Sequence, residues 1–460
     1  MKIIVQKFGG TSVGSGERLR NVAGIIQATL KTHPVIAVVS AMSGTVKAEG
    51  TTSQIILASE QALAGASYQE PLENIRRTHV KAIGEAVQGK AASQELAEAV
   101  EQELTRLELV LGAVKTLGEI SPRSLDMLLS GGERLSARLL AGTLADMGTE
   151  AVYMDLSEVV APEEKEVNPG FFLRMQHLMA EYCRPMGGKV PVVTGFFGLV
   201  PGGILKAVGR GYTDFTTALI SAGLGRQAVE EMQVWKEVDG IFTADPRKVP
   251  TARVLAAISP NEAAELTYFG SEVLHPFTME RVVSAEIPIR IKNTFSPQGP
   301  GTIILPKHED KTQRVTAVTA KRSITIVTIH SNRMFNAYGF LARVFNTLDR
   351  HGVIVDLVST SEVSVSFSVE RADSVEATAK DLKEFGDVKV ERGRAILSMV
   401  GEGMKFSVGT AGQMFSTLAA AGINIEMISQ GASEINISCV IKEDDVPKGL
   451  TALHKAFLEG

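Results

Sequence analysis

The chain has 460 residues, 44% hydrophobic and 22% charged, which is enough for about three ordinary cores and too apolar for wholesale disorder. A net charge of -5 without a long basic run leaves no footprint for nucleic acid, and Cys183 and Cys439, far apart in sequence, argue against a disulfide framework or a thiolate metal site. Three apolar residues before Gln6 and Lys7 are too few for a signal-peptide core, and Pro191, Pro201 and Gly202-Gly203 break the apolar stretch 190–209, so a cytoplasmic chain without a membrane span is expected.

The first predicted element is a strand, Ile3-Ile4-Val5, opening into Lys7-Phe8-Gly9-Gly10-Thr11-Ser12. Glycine leaves backbone N–H groups open to phosphate oxygens, and a nearby ammonium neutralises charge on a transferred phosphoryl group. The Lys precedes the glycines, so this is not the P-loop of NTPases, and a strand ending in a Gly turn with an exposed Lys fits the same letters. A second strand follows at Val35-Ile36-Ala37-Val38-Val39. Residues 70–117, rich in Glu, Ala, Lys and Leu, read as helices outside the sheet, as does 134–147. Further strands are expected at 190–194 and 287–291. Strands separated by helices predict an α/β fold, a mainly parallel sheet sandwiched by helices. Ser296-Pro297-Gln298-Gly299-Pro300-Gly301 and the charged run 307–311 signal a turn and a solvated connection, where the first domain, 1–305, is expected to end.

Beyond that connection the chain repeats at an offset of 70 residues. Gly339, Phe345, Thr347, Leu348, Gly352 and Ser359 return as Gly409, Phe415, Thr417, Leu418, Gly422 and Ser429. Each copy reads as a leading strand, an amphipathic helix, a Gly stop and two more strands, with leading strands at 324–329 and 395–400. Two small α+β modules, 316–390 and 391–460, are therefore expected in succession, with the extreme C-terminus free to pack back on the first. A duplicated module after a larger α/β domain suggests a regulated enzyme.

With both halves described, the chain resembles the monofunctional aspartate kinases, an amino-acid-kinase catalytic domain followed by two ferredoxin-like ACT domains. The resemblance rests on the Lys7–Ser12 tract, Ser130-Gly131-Gly132-Glu133, Gly209-Arg210-Gly211-Tyr212-Thr213-Asp214, the run from Val238 to Arg247, Phe269-Gly270-Ser271-Glu272-Val273-Leu274-His275-Pro276 and Thr360-Ser361-Glu362-Val363, in the family's order. It implies phosphorylation of the L-aspartate side-chain carboxylate by ATP with Mg²⁺ held through the phosphates and no protein metal site. That carboxylate is already ionised at neutral pH, so the site needs positive charge and N–H donors more than a general base.

The resemblance implies catalytic roles for Lys7 and Asp214, although Asp214 also reads as a helix N-terminal carboxylate. Glu133 and Arg210 are implied for the substrate ammonium and α-carboxylate, where either alone would fit a surface salt bridge; Thr213, Ser40, Thr11 and Ser12 add hydroxyls. Gly9, Gly10, Lys236, Glu237, Phe242, Asp245 and Arg247 are implied for the nucleotide. Glu272 stands where many members carry Lys, and Val46-Lys47 replaces a more usual polar pair. In the repeat, Met334, Gly339, Phe340, Leu341, Val355, Asp356, Ser361 and Glu362 match an effector site, with lysine expected before threonine and pairing of two chains through the ACT domains. Alternatives are another amino-acid kinase, acting on glutamate, acetylglutamate or a nucleoside monophosphate, and a noncatalytic amino-acid-responsive partner that retains an inactive kinase fold.

Overall fold

The computed structural model describes the chain except residues 45, 158, 161–163, 185–186, 210, 269–273, 275, 308–313, 332–337, 371–374, 434 and 460. It divides into two compact units, 1–241 with 274–307, and 242–273 with 308–460. Arg210, Glu272 and Met334 lie outside the described residues.

The first unit contains β1 (Ile3–Phe8), α1 (Gly16–Leu30), β2 (Val35–Val39), α2 (Thr51–Leu63), α3 (Gln69–Ala86), α4 (Lys90–Leu117), α5 (Pro122–Asp146), β3 (Ala151–Met154), α6 (Pro169–Tyr182), β4 (Val190–Thr194), α7 (Ile204–Ala207), α8 (Tyr212–Ala228) and β5 (Val229–Lys236). After β6 (Ala257–Ile258) and α9 (Pro260–Tyr268) of the second unit, it resumes with α10 (Pro276–Ser284), β7 (Ile289–Asn293) and β8 (Thr302–Ile304). Its strands run in the order β3-β4-β2-β1-β5-β7-β8, parallel except for β8. The β-branched runs of β2 and β4 are buried at every position because helices cover both faces of the sheet. α5 begins twelve residues before the helical stretch predicted at 134, started by Pro122 in the first turn and a Ser121 cap accepting from the Ser124 amide. The 190–209 stretch forms β4, a loop and α7, and no helix among the described residues is long and apolar enough to cross a membrane.

In the second unit, β9 (Ala317–His330), α11 (Phe340–Arg350), β10 (Val355–Thr360), β11 (Ser364–Val369) and α12 (Val375–Leu382) precede β12 (Asp387–Val400), α13 (Thr410–Ala420), β13 (Met427–Gln430), β14 (Asn436–Lys442) and α14 (Val446–Leu458). They form one antiparallel sheet, β10-β11-β9-β12-β14-β13. The two leading strands are longer than the predicted 324–329 and 395–400, and each serves both modules. Ile326–His330 pair with 387–391, whereas Ala317–Lys321 pair with 396–400. The changeover falls where Ser323 takes φ 57° and Gly393 φ 69°, beside two register shifts in β12. The modules are therefore nested rather than consecutive: the second takes its outer strand from residues 317–321, ahead of the whole first module. Cys183 and Cys439 are buried, with thiols pushed up to about 12 by desolvation.

Candidate active site

The parallel strands of the first unit end level with one another. Phe8 of β1 pairs with Val39 of β2 and Trp235 of β5, and Val39 with Thr194 of β4. The chain steps from β1 to β2 on one side and returns with β5 on the other, so this rim is a topological switch point, the usual ligand crevice of an open α/β sheet.

Lys7 lies one residue from the end of β1, and its Nζ is 2.7 Å from Asp214 Oδ1, with side chains 9% and 11% exposed. Asp214 sits in the first turn of α8, where the helix dipole favours a carboxylate, and from there it pairs with Lys7. The glycines after Lys7 are pressed onto the loop that follows β2: a Cβ on Gly10 would come 2.4 Å from the Ala41 carbonyl oxygen, and one on Gly14 would come 2.0 Å from that of Ser43. The Ser43 amide donates to the Gly10 carbonyl at 3.0 Å. Gly9 leaves open the space in front of the ammonium, since its Cβ would stand 3.7 Å from Lys7 Nζ. Ser12 Oγ bonds Thr294 Oγ1 at 2.7 Å, whereas Thr11 is half-buried and its carbonyl accepts from Arg18.

The same rim is closed by α5. Gly132 lets the helix approach Ala41, whose Cβ would lie 2.7 Å from an added Cβ, and Ser136 Oγ donates to the Ser40 carbonyl at 2.7 Å. Glu133, 1% exposed, accepts from the Tyr212 hydroxyl at 2.8 Å. Burial pushes its carboxyl up to about 7, against the opposing influence of Tyr212 and the nearby Ala41 amide. The neighbouring Arg134 turns away into a buried pair with Glu103, so it packs α5 on α4. Thr213 is buried against Gly195, where a Cβ would meet its Cγ2 at 2.5 Å. At the end of β5 the Lys236 carbonyl accepts from the Thr294 amide, while the Glu237 side chain is exposed.

The structure thus brings Lys7, Gly9, Gly10, Thr11, Ser12, Ser40, Glu133, Thr213 and Asp214 to one end of the first unit's sheet, with Lys236 and Glu237 at its β5 side. Phe242, Asp245 and Arg247 belong to the second unit, where Ala244 and Val249 enter the core of the second module. Exposed Arg247 folds back on Asp245, with Nε 3.0 Å from Oδ1 and Nη2 3.1 Å from Oδ2. Residues the sequence reading passed over include Tyr212, Asp126 and Lys292. Lys292 stands 5.0 Å over the Trp235 ring with its pKa lowered by burial. Tyr212 stands inside the Gly209–Asp214 block, and that place is the signal that could have flagged it.

Of the expected effector positions, Phe340 is buried, Leu341 and Glu362 are exposed, and Gly339 starts α11 at φ 74°. Ser361 closes a turn on Ser364, and Val355 opens β10 half-buried. Asp356 is paired within the chain. Its side chain is 2% exposed, with Lys321 Nζ at 2.8 Å and the Tyr268 hydroxyl at 3.1 Å, so a cation of the chain itself already neutralises it.

The amino acid kinase family profile matches residues 2–293, and the ACT domain profile matches 327–384 and 397–457. The aspartokinase of Schizosaccharomyces pombe is 45% identical over 99% of this chain and 93% of its own length. The chain belongs to the aspartate kinases. Saccharomyces cerevisiae aspartokinase is 43% identical over 99% of this chain and 92% of its own. Among solved structures, Escherichia coli aspartokinase III in complex with aspartate and ADP, an R-state, is similar over 100% of both chains with a TM-score of 0.79 at 28% identity. The same enzyme with lysine and aspartate, a T-state, gives a TM-score of 0.80. An aspartate kinase therefore carries the nested modules and the strand-end rim described above.

Proposed function

We propose that the chain transfers the γ-phosphoryl group of ATP to the side-chain carboxylate of L-aspartate, giving 4-phospho-L-aspartate and ADP, and that an end-product amino acid acting at the ACT modules inhibits it. The observation that carries this reading is the buried Lys7–Asp214 pair at the carboxyl end of the central strand, in a chain belonging to the aspartate kinases.

ATP supplies the phosphoryl group, and Mg²⁺ bound to its phosphates would offset part of their charge. The residues present suit that arrangement: Gly9 and Gly10 bring small residues up to a buried ammonium, with the Gly9 amide donating at 3.4 Å to the Trp235 carbonyl. This reading brings the metal in with the nucleotide phosphates. Lys7 would stabilise charge on the transferring group, and Asp214 would keep its ammonium aimed at that point. Glu133 would receive the substrate ammonium and Arg210 its α-carboxylate, with Ser40, Thr213, Thr11 and Ser12 as flanking hydroxyls. Lys236, Glu237, Phe242, Asp245 and Arg247 remain the nucleotide residues of this reading.

Lysine first, and threonine second, is the effector we assign, through Met334, Gly339, Phe340, Leu341, Val355, Ser361 and Glu362. Asp356 would join them only after releasing Lys321. Pairing of two chains through the ACT modules, a cytoplasmic location and a place at the start of aspartate-derived amino-acid synthesis complete the proposal. Aspartate-dependent ADP release, with the acyl phosphate trapped as a hydroxamate, tests it; turnover with glutamate or acetylglutamate in place of aspartate would replace it.

A further inference from the structure

Glu133 is a buried carboxylate with a side-chain donor at only one of its two oxygens. Oε1 accepts from the Tyr212 hydroxyl at 2.8 Å, and Oε2 is buried without a hydrogen-bond partner among the described residues. Such an orphaned oxygen is costly unless a ligand completes it. Tyr212 is itself 4% exposed, and its ring meets Phe196 edge-on at 5.9 Å. It is the first residue of α8, two positions before Asp214, so one helix terminus carries both the partner of Lys7 and the donor that fixes Glu133. Two turns back from Glu133 on α5, Asp126 accepts from the Val200 and Ile204 amides at 3.2 and 3.1 Å. The loop after β4 is thereby tied to the helix that carries Glu133.

We infer that Tyr212 is a positioning residue for substrate recognition: its hydroxyl holds one oxygen of Glu133 so that the other faces the α-ammonium of the amino-acid substrate. The inference rests on the aspartate kinase reading and deepens it. A carboxylate free to rotate about its last torsion would divide its time between orientations, whereas a bond to one oxygen from a side chain locked in the core presents the second in a fixed direction. The donor also favours the charged form of a group that burial drives toward neutrality. Tyr212 contacts Glu133, and its effect on turnover passes through that carboxylate.

The test is the Tyr212→Phe variant of the full chain, which keeps the ring against Phe196 and deletes only the hydroxyl. Initial rates are measured with aspartate and ATP varied separately, over pH 6 to 9, together with the melting temperature. The expected result is a KM for aspartate raised about tenfold, a kcat within about threefold and a KM for ATP within about twofold of the parent. The acid limb of kcat/KM for aspartate moves to higher pH, because Glu133 has lost a donor to its charged form. An unchanged KM for aspartate, or a parallel loss in kcat and both KM values with a lowered melting temperature, would overturn the positioning role while leaving the aspartate kinase reading in place. Absence of aspartate-dependent turnover in the parent chain would overturn both.

Discussion

Glu133, the proposed receptor of the substrate ammonium, carries a cost in stability. Burial raises its carboxyl from an ordinary 4.5 to about 7, so between those values the folded chain holds a proton that the unfolded chain has released. The stability contributed by this group is therefore largest at low pH and declines as pH rises through about 7. Glu133→Gln should stabilise the protein by on the order of 1–3 kcal/mol at pH 8 and by less at pH 6, while kcat/KM for aspartate falls more than tenfold. Urea unfolding at both pH values, beside steady-state rates, checks this; an equal gain at both would show that the buried charge is not the cause. The parent enzyme should lose kcat/KM for aspartate as pH falls below about 7, where Glu133 takes up its proton. At Lys7 the balance is different, because its charge is matched by Asp214 at 2.7 Å. Lys7→Ala should reduce kcat by roughly a thousandfold or more.

The glycine turn after β1 and the loop after β2 are fitted to one another without space for a methyl group. Gly10→Ala would drive a Cβ to 2.4 Å from the Ala41 carbonyl, displacing both elements, and should cost about 1–3 kcal/mol together with most of the activity. A variant with parental stability and rates would contradict the fit. In the six-stranded sheet of the second unit, β9 and β10 are bound by Lys321 and Asp356, with side chains 14% and 2% exposed, and the end of α9 joins them through Tyr268. Lys321→Met should destabilise the chain by about 3–5 kcal/mol by leaving Asp356 uncompensated, and adding Asp356→Leu should recover most of that loss. A double variant no more stable than the single would refute the pairing. Strand positions were legible in the sequence where short β-branched runs stand between helical stretches, as at Val35–Val39 and Val190–Thr194. The ion pair at Asp356 was not legible, because Lys321 lies 35 residues away in sequence and the distance between them is set by strand register.

At the scale of the whole molecule, the repeat disclosed two copies of one module but not their nesting. A sequence offset records which segments are alike; it does not record that residues 317–321 complete the sheet of the second copy. The candidate site was legible in the same partial way: Lys7, Glu133 and Asp214 stand in glycine- and hydroxyl-marked blocks, whereas Tyr212 reads as one more aromatic residue until its hydroxyl is seen on Glu133. The nesting predicts that a fragment of residues 391–460 fails to fold cooperatively, whereas 314–460 folds, less stably than in the intact chain because it lacks Ala244 and Val249 from the second module's core. Circular dichroism and denaturant melts of the two fragments would check this; a cooperative 391–460 would contradict the strand assignment.

The most direct test of the central claim is hydroxylamine trapping in parallel reactions of the parent chain and Lys7→Ala, with ATP, Mg²⁺ and aspartate. The parent should yield aspartate-dependent hydroxamate that lysine or threonine suppresses, and Lys7→Ala should yield essentially none. Hydroxamate at parental rates from Lys7→Ala, or none from the parent, would contradict the assignment of this strand-end rim as the phosphoryl-transfer site.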